Sequence, residues 1–551
     1  MRRKIVPSCG LCYTARGWSC IFWRGAMFDV VIIGGSVVDG TGAAAFRADV
    51  GIEGETIAAI GDLSQSDARR VIDATGLTVS PGFIDTHTHS DAVLLTDPQH
   101  ANGLRQGVTT EILGQDGLSY AQLSPENYRM NRRYLTGILG EPPIDLDMSS
   151  VTAFRSHYHK KTAINTAYCI AHGAVRLETV GFHDKPLVGD ALDKAKQMIR
   201  EGMEQGAVAL ATGMSYMPNA WSDTTELIEL CKVVAEYDGV YVTHLRDVHP
   251  ERGFGGGDVP EALEIGRRSG VKVHFSHYRT SAENAGKVAE RVALIDEAKS
   301  EGVDCSLELY PYPTGSSFPI RYLPPDVNDG GPHALLERLR DPAERQRMLE
   351  YILEQPNDLA SAVFTYLPKN NHLEGMSLRD IAAERGELKE ETLLWLLEDE
   401  ELSVGYRGAP PDSVKVWQQV SKDCVELLSR PDYMVGSDAI HVGSMPHPRA
   451  YGCFPRFLGR LRRSFGMLSL EGMVQRMTDN AAQRFGLTGR GRIETGAFAD
   501  ITVFDAERIT DNATYDDPCQ FPTGIPYVLV NGQVAVDRER CTGVFAGQAV
   551  P

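Results

Sequence analysis

The spacing of apolar and polar positions changes three times along the chain. From Met27 onward, short runs rich in Val and Ile occupy 28–38, 49–60 and 69–80, broken by Gly- and Asp-containing turns. Such runs predict β-strands. The far end repeats the pattern in Ala499-Asp500-Ile501-Thr502-Val503-Phe504 and in 527–536, where Asn531-Gly532 predicts a hairpin turn. Two β-rich ends, 27–80 and 486–551, predict one small β-sandwich domain formed by both ends of the chain.

Between them, 81–485 has a different rhythm. Apolar runs at 79–86, 106–114, 164–171, 206–212, 239–244, 271–277, 303–310 and 432–437 alternate with helical patterns such as 190–205, 224–237, 259–269 and 286–301. Eight buried β runs alternating with helices predict an α/β fold, a parallel (β/α)8 TIM-like barrel. The segment 313–431 is far longer than one βα unit needs. It is Pro-rich at first, then helical and charged, and predicts an insertion that covers the active-site face as a lid.

Composition narrows the function classes. The 551 residues are 42% hydrophobic and 23% charged, which excludes disordered and fibrous chains. With 55 Lys and Arg against 74 Asp and Glu, the net charge of −19 repels a phosphate backbone, so no nucleic-acid partner is expected. No apolar run approaches the roughly 18–20 residues of a membrane span, so no membrane partner is expected either. Ten Cys show no repeating spacing; three fall in the first 20 residues, and the other seven read as single buried thiols of a cytoplasmic protein. Cys9 and Cys12 form a C-x-x-C with no second pair, which weighs against a metal or redox role. In 1–26, Arg2-Arg3-Lys4 is followed by no continuous apolar stretch of roughly 7–15 residues, so no signal peptide is predicted. This segment is expected to be a non-native or disordered extension.

The most specific chemical signal is Pro81-Gly82-Phe83-Ile84-Asp85-Thr86-His87-Thr88-His89. On a strand, residues i and i+2 point the same way, so His87 and His89 project together at a strand's C-terminal end. Paired imidazoles there suit a transition metal. A second H-x-H, His157 and His159, precedes a strand in a polar helical context and is not expected to bind metal. Four further strand ends offer ligands: Asp116, His244, His277 and Asp438. Glu111, on the same strand as Asp116, is the lesser alternative carboxylate.

These residues, with Ile33-Gly34-Gly35-Ser36, Gly107-Val108-Thr109-Thr110, Gly213-Met214-Ser215-Tyr216, Tyr310-Pro311-Tyr312, Gly436-Ser437-Asp438 and His447-Pro448-Arg449, make the chain resemble the amidohydrolase superfamily. Within it, the chain resembles the N-acyl-D-amino-acid deacylases (D-aminoacylases). The likeness runs from Met27 to about residue 540. It implies one metal position among His87, His89 and Asp438 and another at His244 and His277, with zinc as the expected cofactor, one or two ions. In that family a cysteine after strand two, within Asn-Cys-Gly, completes the second position. Here Gln115-Asp116-Gly117 stands instead, and a carboxylate is a harder ligand than a thiolate. No Lys lies at the first four strand ends, which excludes the carboxylated-lysine bridge of many relatives.

The resemblance implies hydrolysis of the amide of an N-acyl-D-amino acid, with Asp438 as catalytic base and then acid. The substrate is then a small molecule bearing a carboxylate. Arg279, where the family pattern has Lys, can grip it with two hydrogen bonds. Tyr310, Tyr312 and His172 are further substrate-binding candidates. Arg449 and Arg456 are weaker ones. A cyclic amidase of the hydantoinase or dihydroorotase kind, or a dipeptidase, is the alternative. A non-catalytic scaffold is the remote one.

Overall fold

Eight parallel strands lie in chain order around the middle of the molecule: β1 Phe83–Asp85, β2 Val108–Leu113, β3 Asn165–Ala171, β4 Ala209–Gly213, β5 Val240–His244, β6 Lys272–Phe275, β7 Cys305–Leu309 and β8 Tyr433–Val435. The computed structural model describes residues 27–355 and 359–551. The extension expected at 1–26 lies outside them. Every residue of β2, β3, β4 and β7 is buried, as expected of parallel strands covered on both faces.

Just beyond β1 and β8 the ring is closed by backbone hydrogen bonds. Thr86 N donates to Val435 O at 3.3 Å and Asp438 N to His87 O at 2.7 Å. The short strand Ala439–Ile440 then runs parallel to Thr88–His89. This closure sets the H-x-H segment beside the segment that carries Asp438.

Helices Asp190–Glu204, Thr224–Glu236, Asp258–Ser269 and Val288–Ser300 follow the predicted pattern within two residues. The second buries Leu227, Ile228, Leu230, Cys231, Val233 and Val234. Its first turn is capped by Asp223, whose carboxylate accepts from Glu226 N at 2.8 Å.

Several predicted strand runs divide: 28–38 is Phe28–Ile33 and Ser36–Val37, and 69–80 is Ala68–Asp73 and the start of Thr78–Pro81. The run 79–86 is two elements in two sheets, Thr78–Pro81 and β1. They part at Gly82, where a Cβ would sit 2.2 Å from Thr109 Oγ1, so only glycine lets the chain pass. The run 49–60 is a hairpin of Asp49–Glu53 and Thr56–Gly61. Buried Val50 and Ile52 on one arm are out of phase with Ile57 and Ala59 on the other, but the turn at Gly54-Glu55 is too short to break the apolar run.

Both chain ends share a seven-stranded sheet. Thr78–Pro81 pairs parallel with Ser36–Val37 and antiparallel with Ile501–Phe504, which continues to Tyr527–Val530 and Gln533–Asp537. Asn531 and Gly532 turn the hairpin between Tyr527–Val530 and Gln533–Asp537 with φ of 46° and 77°. A four-stranded sheet that includes Phe28–Ile33 faces it across a core containing Val30, Ile32, Val79, Ile501 and Leu529.

Between β7 and β8, helices Gly331–Arg340, Pro342–Glu354, Leu378–Arg385, Lys389–Asp399 and Val414–Ser429 accompany a small antiparallel sheet of Ser316–Ser317, Gly405–Arg407 and Val363–Tyr366. The helical reading of this stretch missed the sheet, whose pairs, such as Ser317 with Tyr406, are distant in sequence. Among the described residues no helix is long and apolar enough to cross a membrane.

Candidate metal centre

Six side chains from five strand ends converge at the C-terminal mouth of the barrel. His87 and His89 follow β1 and Asp116 follows β2. His244 ends β5, His277 follows β6 and Asp438 follows β8. Asp116 sits in the left-handed region at φ 56°, within the turn Gln115–Gly117. That turn aims its carboxylate across the barrel axis. Asn219 packs directly against the turn, since a Cβ on Gly117 (φ +65°) would lie 2.2 Å from Asn219 Oδ1, and His172 lies 3.1 Å from that oxygen.

The donor atoms form two groups that share Asp116. In the first, Asp116 Oδ1 is 3.5 Å from His87 Nε2, Asp116 Oδ2 is 3.7 Å from His89 Nε2, and Asp438 Oδ1 is 3.3 Å from His89 Nε2. In the second, Asp116 Oδ2 is 3.6 Å from His244 Nδ1, which is 2.9 Å from His277 Nε2. Metal bonds of about 2.0–2.2 Å in tetrahedral array place donors about 3.4 Å apart. The first group has that spacing. Among the described residues, His87 Nε2 and Asp116 Oδ1 are buried with no hydrogen-bond partner. Buried donors left open and converging fit a cation.

The electrostatics agree. Burial works to lower the His87 imidazole, but the Glu308 and Asp116 carboxylates outweigh it and push it up to about 10. At His277 burial prevails and pushes the imidazole down to about 3. Burial works to raise the Asp116 and Asp438 carboxyls. The His87 and His244 rings hold Asp116 below its usual range, and Arg449 leads in holding Asp438 well below it. The pocket concentrates negative charge out of water.

Glu308, on β7, was not singled out by sequence. It is fully buried, and its Oε1 lies 2.5 Å from His87 Nδ1 while Oε2 lies 3.0 Å from His274 Nε2 and also takes the Thr86 hydroxyl. An acid in the apolar run Cys305-Ser306-Leu307-Glu308-Leu309, sharing a face with Ser306, was the available signal.

Other candidates fall in different places. Glu111 bonds Ser90 and His100, apart from the two groups that share Asp116. His157 contacts Asp147 O and His159 accepts from Ala549 N, away from the mouth. His172 is buried with Nε2 2.9 Å from Glu226 Oε1 and Nδ1 3.1 Å from Asn219 Oδ1, so both nitrogens are engaged behind the Asp116 turn. Tyr310 is flanked by two guanidiniums, Arg279 and Arg449, each 4.4 Å from its ring centre, and its hydroxyl accepts from Arg279 Nη2 at 2.9 Å. Tyr312 is buried against Arg456 and His447. Arg456 pairs with Asp511 at 2.9 Å, outside the mouth.

Residues 70–299 and 371–536 match the family model described as "Amidohydrolase family". The chain is 31% identical to a D-aminoacylase of Alcaligenes xylosoxydans xylosoxydans, covering 95% of this chain and 97% of the relative. It is 33% identical to an N-acyl-D-glutamate deacylase of the same organism, covering 92% and 93%. Its fold is similar to that of N-acyl-D-glutamate deacylase from Bordetella bronchiseptica, solved with zinc and a phosphonate inhibitor, at TM-score 0.79 and 31% identity over 95% of this chain and all of that one. A D-aminoacylase structure addressing a binuclear metal centre aligns at TM-score 0.78, with 32% identity over 95% and 99%. A hydantoinase from Arthrobacter aurescens, 18% identical at TM-score 0.51, shares the fold. A family match over most of the chain, with near-complete coverage of these relatives, makes this protein a member of the amidohydrolase family.

Proposed function

We propose that this protein is a metal-dependent hydrolase that cleaves the amide bond of N-acyl-D-amino acids, releasing a carboxylate and a D-amino acid. The observation that carries the reading is the convergence of His87, His89, Asp116, His244, His277 and Asp438, with Asp116 common to both groups. His87, His89, Asp116 and Asp438 would hold one divalent ion, and Asp116, His244 and His277 a second, with zinc the expected metal. When bound, such an ion polarises a carbonyl and lowers the pKa of water from about 15.7 towards about 7.

The chain's own groups do the rest. Asp438 turns Oδ1 towards His89 and is fixed through Oδ2 by Arg449 Nη1 at 2.8 Å. From there its carboxylate takes a proton from the attacking water and delivers it to the departing nitrogen, so that the amine leaves protonated. Arg279 and Tyr310, with Arg449 across the ring, form a cationic wall beside Asp438 that suits the substrate carboxylate. With a net charge of −19 on the chain, attraction for an anion must be local.

The barrel unit 81–485 carries this chemistry in the proposal. The 313–431 insertion covers its mouth, and the sheets of 27–80 and 486–551 buttress it. Contacts from Ser316 to Arg449 and from Ser317 to Tyr216 support the covering role.

Metal analysis of the purified protein, paired with an amine-release assay on N-acetyl-D- and N-acetyl-L-amino acids, tests the reading. Bound metal and D-selective release are expected. Bound metal without release from either would turn the reading to cyclic amides. No metal and no release would favour a scaffold.

A further inference from the structure

The imidazoles of His87 and His244 face Asp116 through opposite nitrogens. His87 spends Nδ1 on Glu308 at 2.5 Å, which leaves Nε2 towards Asp116. His244 is turned over. Its Nδ1 faces Asp116 and His277, and its Nε2 lies 2.8 Å from Ser215 Oγ. Ser215 Oγ is in turn 2.5 Å from Asp247 Oδ1, and Asp247 Oδ2 is 2.7 Å from Arg321 Nη2.

The proton count fixes the direction of this chain. A carboxylate can only accept, so the single hydroxyl proton of Ser215 goes to Asp247. Ser215 can then only accept from His244, so in the neutral imidazole the ring proton sits on Nε2 and the Nδ1 lone pair faces Asp116. The backbone makes the arrangement rigid. Met214 N donates to His244 O at 3.0 Å, and a Cβ on Gly213 would lie 2.3 Å from Asp116 O, so the Ser215 turn is packed against both ligand segments.

We propose that Ser215 and Asp247 are positioning residues that select the tautomer and orientation of His244, relaying a carboxylate to it through one hydroxyl. This rests on the metal-centre reading above. The carboxylates behind His87 and His244 differ in kind. Glu308 acts on His87 directly and is fully buried, whereas Asp247 is 48% exposed and acts through Ser215, itself buried, while Arg321 holds its far oxygen. Imidazole ligands depend on such outer partners, and removing one costs about 10–100-fold in metal affinity.

The experiment is a competitive zinc titration of the full-length protein against a chromophoric chelator, run on wild type, S215A, S215T, D247N and S215A/D247N, with circular dichroism to confirm folding. Cobalt loading and its visible spectrum give an independent readout of the ligand field. The relay predicts that S215A weakens one metal equivalent about 10–100-fold and leaves the other within twofold. S215T, which keeps the hydroxyl, should restore it. D247N should weaken the same equivalent, and the double variant should lose no more than S215A alone, because both changes break one chain. Unchanged affinity in S215A, or losses that add in the double variant, would overturn the relay. If wild type itself binds no zinc, the metal-centre reading fails and the relay with it.

Discussion

Asp438 and Arg449 form a buried ion pair, with Nη1 2.8 Å from Oδ2, while the other carboxylate oxygen is turned to His89 at 3.3 Å. One oxygen is anchored and the other faces the place where water would be activated. Substituting Asp438→Asn keeps the shape but removes the proton acceptor. Turnover should fall by at least the ~10²–10⁴-fold typical of a lost general base. Metal content should persist through the remaining ligands. Steady-state kinetics with metal analysis checks both, and near-normal turnover would remove Asp438 from the role.

Asp116 faces both donor groups, so Asp116→Ala should weaken both together. The loss should exceed the ~10–100-fold cost of removing an outer partner. Asp116→Cys should recover binding of zinc better than of manganese, since thiolate is the softer ligand. Parallel titrations with the two metals would show it.

The Arg279 guanidinium, bonded to the Tyr310 hydroxyl at 2.9 Å, is the proposed carboxylate clamp. Arg279→Ala should lower kcat/KM about 10–100-fold on an N-acetyl amino acid, as for a lost charge-assisted hydrogen bond. It should change little on the corresponding amide, which lacks the charge. Equal losses on both substrates would count against the clamp.

Behind the Asp116 turn, Arg176 and Glu226 are both buried, with His172 2.9 Å from Glu226. Burial works to raise the Glu226 carboxyl, but Arg176 and His172 hold it below its usual range. A lowered carboxylate pKa adds stability above the unfolded value and loses it as pH falls through the folded one. Wild type should therefore lose more stability than E226Q between about pH 5 and about pH 3. At neutral pH, E226Q should itself be less stable by about 3–5 kcal/mol, because Arg176 is left buried without its counter-charge. Denaturant unfolding at several pH values measures both.

Gly117 has φ +65° and no room for a Cβ against Asn219. Gly117→Ala should cost about 1–3 kcal/mol of stability and displace Asp116. A lower Tm together with weaker metal binding is the expected pair of results. A stability loss with intact metal binding would separate the turn from the site.

Much of this was legible in the chain because barrel strands announce themselves locally. Buried parallel strands read as short apolar runs, and a side chain that reaches the mouth from a strand's end reads as a polar residue stopping the run, as in Val242-Thr243-His244 or Gly436-Ser437-Asp438. Elements failed where the signal was shared or non-local. The hairpin at 49–61 turns within two residues, too few to interrupt its apolar run, and the sheet in the insertion joins residues some ninety positions apart.

The sequence by itself determined the barrel, the H-x-H direction and the strand ends whose side chains converge at the mouth, since period and burial are properties of neighbouring residues. Only the tertiary structure decided which side chains share a charge. Glu308 reaches His87 across 221 positions, and Asp116 lies among four imidazoles drawn from three other strands. Even within 32 positions, the chain from Asp247 through Ser215 to His244 has no sequence spacing to announce it. Hydrogen-bond partners are set by closure of the ring and by rotamer choice inside a packed interior, and no local pattern of apolar and polar residues encodes either.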